Sequence, residues 1–142
     1  MQATEHLAPG DRVIDLSVIA RNAGLCAGGL TALLVTRLAI GEFGRALAFG
    51  MVGAILGGII GHIVGRVRYV SEGRHQVVKL GPTALRSLVT AGLSISLPVA
   101  IVVWLACLTV LGSPAPSLET GAACLASGVV SGLAVGRIAS RL

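Results

Sequence analysis

Acidic residues are scarce in this chain: there are six, and none lies inside a long apolar run. Glu5, Asp11 and Asp15 stand near the N-terminus, Glu72 in a basic stretch, and Glu42 and Glu119 beside short turns. A proton-coupled pump built on an intramembrane carboxylate has no residue to use, and neither has acid-base catalysis by paired carboxylates. The three cysteines, Cys26, Cys107 and Cys124, make no CxxC or CxxH spacing, which excludes the common zinc and dithiol patterns. Aromatic residues are only 3% of the chain and are not interleaved with the basic ones, so a nucleic-acid surface is not expected. The glycine-rich stretch 50–58 is followed by no Lys-Ser/Thr pair, and the phosphate-loop reading fails. The expectation is a non-enzymatic protein without catalytic, cofactor-binding or metal-binding residues.

What the chain has instead is apolar length. Hydrophobic residues are 54% of it and charged residues 12%, against about 25% charged in soluble domains, and the mean hydropathy is +0.90. The apolar residues cluster into four runs, 23–40, 46–64, 88–111 and 119–139, each near the length of a membrane span. The sequence therefore predicts an all-α, polytopic membrane protein, a four-transmembrane-helix bundle occupying 1–142 as a single membrane domain. Arg37, near the end of the first run, is expected to snorkel to the headgroups.

The remaining charges give an orientation. The stretch 65–87, between the second and third runs, carries Arg66, Arg68, Arg74, Lys79 and Arg86, whereas 112–118 has no basic residue. The basic stretch is thus expected on the cytoplasmic side, together with both termini, which add Arg12, Arg21, Arg137 and Arg141 against Arg37 and Arg45 outside. Contact with anionic lipid headgroups follows for the same stretch. The acidic residues near the N-terminus exclude a cleavable export signal there, and 1–22 reads as a cytoplasmic or interfacial segment, with 13–21 a short helix or extended piece. Ten arginines beside one lysine suggest GC-rich bacterial coding, and hence a bacterial inner membrane.

Within the spans, small residues recur every fourth position. Gly53, Gly57, Gly61 and Gly65 share one helix face, as do Gly128, Gly132 and Gly136, and Gly24 and Gly28 sit in a similar series on the first span. In lipid, where apolar side chains gain nothing by leaving the solvent, such bare faces let helix backbones meet; they are the expected GxxxG-type packing residues, or glycine zippers. The order of features also repeats. Residues 12–16, Arg-Val-Ile-Asp-Leu, resemble 76–80, Gln-Val-Val-Lys-Leu, and each is followed by an Ala-Gly-Leu span and then a glycine-ladder span ending in Gly-Arg, at offsets drifting from 64 to 71 residues. A tandem two-hairpin repeat would relate the halves by an axis along the membrane normal.

Few polar groups remain as site candidates. His62 is the ionisable side chain well inside an apolar run and is the candidate polar site, set against a simple hydrogen-bonded or snorkelling role one turn from the span's end. Pro98 is the candidate hinge in the third span, with Ser94 and Ser96 hydroxyls near the carbonyl that its ring leaves free. Cys107 and Cys124 stand at matched distances from the outer turn, and Glu42 lies within reach of Arg45. Two classes of function follow: an accessory or structural subunit docking through its glycine-ladder helices on a larger membrane complex or on itself as a homo-oligomer, and a small oligomeric transporter or channel subunit. A holin-like pore former stands third.

Overall fold

A computed structural model describes residues 13–79, 84–110 and 118–141. Four long helices dominate it: α1 (Leu16–Ile40), α2 (Phe43–Tyr69), α3 (Ala84–Val110) and α4 (Leu118–Arg141). Each is long and apolar enough to cross a membrane. Each also overruns its apolar stretch, because nothing in the polar flanks breaks a helix. α1 starts at Leu16, where Asp15 caps it by accepting a hydrogen bond from the Ser17 backbone N–H at 2.9 Å, and α2 continues through Arg66 and Arg68 to Tyr69. The expected interfacial piece at 13–21 is therefore not separate: three extended residues lead straight into the first span.

Successive helices run in opposite directions. α1 stops at Gly41, whose left-handed φ of 83° suits a residue without Cβ; its N–H returns to the Arg37 carbonyl at 3.0 Å. The Arg37 guanidinium in turn donates to the Gly41 carbonyl at 2.6 Å, a second contact across the same helix end. Glu42 then begins α2 and pairs with Arg45 at 3.0 Å, both side chains largely exposed.

Short strands close the opposite end; an extended piece is one reading of 13–21, but the sequence pattern anticipates neither its pairing nor the hairpin. β1 (Val13–Asp15) pairs antiparallel with β4 (Val77–Lys79), Ile14 facing Val78, while β2 (Val70–Ser71) and β3 (Arg74–His75) form a hairpin. Its turn residues, Glu72 and Gly73, both have positive φ, the geometry that matches strand twist in two-residue turns. Gln76 ties the pieces together: its N–H donates to the Tyr69 carbonyl at 2.8 Å and its carbonyl accepts from the Leu16 N–H at 3.0 Å. The entry to α1, the end of α2 and the approach to α3 are thereby fixed at one end of the bundle.

α1 packs most extensively on α2, and α3 on α4; α1 also meets α3 and α4, whereas α2 meets α3 least. The core is built mainly from α1 and α3, with Ala20, Ala27, Val35, Leu88, Val99 and Val103 almost fully enclosed. Arg12, Leu80 and the connection 111–117 lie outside the described residues.

Candidate functional site

At Gly24, Gly28, Gly57 and Gly61 the backbones of α1 and α2 come close to each other. A methyl group on Gly57 would collide with the Gly24 carbonyl oxygen and stand 2.9 Å from Gly28 Cα; one on Gly24 would meet the Gly57 carbonyl and stand 2.9 Å from Gly61 Cα. Gly53 meets Ala32 and Gly28 in the same way, Gly61 lies against the Ala20 carbonyl and Gly65 against Ala20 and Ser17. Every ladder position from Gly53 to Gly65 is buried.

The α3 and α4 pair is built differently. Gly92 opposes Gly132 backbone to backbone, but a methyl on Gly128 would meet the Leu97 side chain at 2.8 Å, and one on Gly136 would lie 2.7 Å from Val89 Cα. A polar link crosses this contact, where the buried Ser96 hydroxyl donates to the Gly128 carbonyl at 2.7 Å. Other interior hydroxyls are less well served: Thr31 on α1 and Ser131 on α4 are buried, and their oxygens make no hydrogen bond among the described residues.

The singled-out polar residues do not converge. His62 is exposed on α2, one position off the ladder face. Pro98 is exposed and lies inside an unbroken α3; the serines beside it are engaged elsewhere, Ser94 with the Ala91 carbonyl at 2.8 Å and Ser96 with α4. Cys107 and Cys124 are buried, Cys26 is exposed, and all three are free, so no disulfide joins them. Among the described residues no group of three or more His, Cys, Asp or Glu side chains is arranged to hold a metal.

Grooves run along these helices, and three of them, lined by described residues, bear on the site. One, of about 290 Å³, is wholly apolar and lies between α2 and α3 toward the Gly41 end, lined by Phe49, Val52, Leu56, Val103 and Val110 among others. A second, of about 280 Å³, lies at the strand end of the same α2 and α3 boundary, where Arg68, Tyr69 and Gln76 face Arg86, Ser87, Thr90 and Ser94. The third lies between α4 and α1, lined by Val18, Ile19, Asn22, Cys26, Ile138 and Ala139. The sequence pattern did not single out Arg68, Arg86 or Tyr69 as a group; only the excess of basic residues in 65–87 pointed toward them. No family model, curated protein or solved structure matches this chain.

Proposed function

We propose that this chain is a non-enzymatic inner-membrane subunit, accessory or structural, that docks through the glycine-ladder helix α2 on a larger membrane complex or on a second copy of itself. The observation that carries this reading is the two-sided character of α2. Its glycine face is occupied by α1, while Met51, Val52, Ile55, Ile59, Ile63 and Val67 on its other sides are exposed, and it is the least buried of the four helices. A helix held so closely from behind presents a rigid apolar strip, suited to van der Waals packing against another span. The ladders themselves are close-packing, GxxxG-type contacts within each hairpin.

The two hairpins are tandem repeats. In support, a constant step of 68 residues carries the buried Leu16, Ala20, Ala23, Gly24, Gly28 and Val35 onto Ala84, Leu88, Ala91, Gly92, Ser96 and Val103, all buried. A step of 71 carries Gly57, Gly61 and Gly65 onto Gly128, Gly132 and Gly136. The resembling segments pair with each other through Ile14 and Val78, the residues at matching places in each, as a two-fold axis through the strand ladder requires. The basic end, with both termini, faces the cytoplasm and touches anionic headgroups.

Mild-detergent purification followed by native mass spectrometry tests the docking role. The expected result is a stoichiometric companion or a homo-oligomer; a lone chain of 14.3 kDa across the usable concentration range overturns it. The hydroxyls of Thr31 and Ser131, without a partner among the described residues, favour a second reading, a small transporter or channel subunit, since a path needs polar groups inside the bundle. Solute flux into liposomes carrying the purified protein would establish that reading and displace the first.

A further inference from the structure

We propose that the strand-end groove between α2 and α3 holds the phosphate of an anionic phospholipid, with the lipid's chains lying along the cleft between those two helices. The inference rests on the membrane orientation and headgroup contact proposed above, and assigns that contact to one site. Arg68 at the end of α2 and Arg86 in the first turns of α3 both line the groove, and neither guanidinium meets a carboxylate among the described residues. Tyr69, stacked beside Arg68 with its ring centre 5.6 Å from the guanidinium carbon, and the Gln76 bridge to α1 fix the back wall. The Ser87 hydroxyl adds a neutral donor, and the N-terminal end of α3 adds the positive end of a helix dipole. Guanidinium groups from two helices and a hydroxyl, all lining one groove, supply donors of the kind that phosphate oxygens accept from.

The cleft beneath the groove suits acyl chains. α2 and α3 touch each other least of the neighbouring helices, and the wholly apolar groove farther along opens on the same boundary. From Arg68 to Leu56, at that groove's near edge, the helix rises about 18 Å, close to the depth of one leaflet's hydrocarbon. The related position in the other half is an internal contrast. The step of 68 residues that carries Val18, Ile19 and Cys26 onto Arg86, Ser87 and Ser94 leads from the α4 and α1 groove to this one, and among the described residues the other groove is lined by Asp15 and by no cation. α1 and α4 are also packed more closely than α2 and α3. One of two related positions is therefore both open and cationic.

The test uses the whole protein in nanodiscs, with bound lipid counted by native mass spectrometry and affinity read by lipid titration. Wild type should retain phosphatidylglycerol over phosphatidylcholine, and the double variant Arg68→Gln with Arg86→Gln should lose about 30-fold in affinity, each cation near a membrane surface contributing about fivefold. The same charge loss outside the groove, Arg66→Gln with Arg74→Gln, should cost much less, and Arg68→Lys with Arg86→Lys should restore most of the binding in a variant of unchanged charge. Equal losses in the two glutamine pairs would overturn the groove and leave general headgroup contact standing. No preference for phosphatidylglycerol in wild type would overturn both. Displacement of the lipid by millimolar glycerol phosphate would overturn the lipid as the source and assign the site to a free phosphate ester.

Discussion

Gly57 and Gly58 are sequence neighbours with opposite surroundings, and the difference is measurable. At Gly57 a methyl group meets two backbones, which have no rotamer to change, so Gly57→Ala is expected to cost about 1–3 kcal/mol and Gly57→Leu more. At Gly58 the nearest atom is Leu25 Cβ at 3.6 Å, an ordinary contact, and Gly58→Ala should be neutral or stabilise the helix by up to about 1 kcal/mol. Unfolding of both variants in detergent micelles, followed by circular dichroism, checks the pair; equal effects would mean that the closeness of α1 and α2 does not govern stability. The four-residue spacing puts Gly57 and Gly61 on one face, and it also explains His62. A residue directly after Gly61 on a 3.6-residue helix points about 100° away from the ladder, so the side chain that looked most suspicious by its chemistry is placed by periodicity on the exposed surface.

Between elements, what the sequence disclosed depends on whether the signal was local. The four helices were legible because each apolar run is continuous; their ends were not, because Ser17, Arg66 and Arg68 are compatible with a helix that emerges into a polar layer. The β1 and β4 ladder joins residues more than sixty positions apart through strands of three residues, too short to show alternation, and only the internal resemblance hinted at it. Ser96 shows the same limit: the sequence offers it to the Pro98 gap, and the fold uses its hydroxyl to bridge α3 to α4. Ser96→Ala keeps the close approach and removes the bridge, so the expected loss is about 0.6 kcal/mol, the usual worth of an interhelical hydrogen bond in a membrane protein. That is smaller than the Gly57→Ala cost. Micelle unfolding of the single and double variants should find the two effects additive, since the substitutions lie in different helix pairs; a larger loss for Ser96→Ala would make the polar link, and not backbone proximity, the main tie of the second hairpin.

For the whole molecule the decisive quantity is the charge difference between its two ends. The strand end carries Arg21, Arg66, Arg68, Arg74, Lys79, Arg86, Arg137 and Arg141, against Arg37 and Arg45 at the other. Those two are moreover engaged locally, Arg37 with the Gly41 carbonyl and Arg45 with Glu42. Basic residues close to span ends resist translocation, so a difference this large should give one orientation and not a mixture. Single-cysteine variants in a background lacking Cys26, Cys107 and Cys124 read it directly. Ser71→Cys lies in the exposed hairpin, and Gly44→Cys adds a side chain where nothing stands within 4 Å, so neither should disturb the fold. A membrane-impermeant maleimide should label Gly44→Cys from outside intact spheroplasts and Ser71→Cys only in inverted vesicles. The reversed pattern would put the cationic groove on the outer surface and contradict the orientation on which headgroup capture from the cytoplasmic leaflet depends. Adding Gly44→Arg should leave the pattern unchanged, because one more cation at the Gly41 end still leaves a wide excess at the strand end.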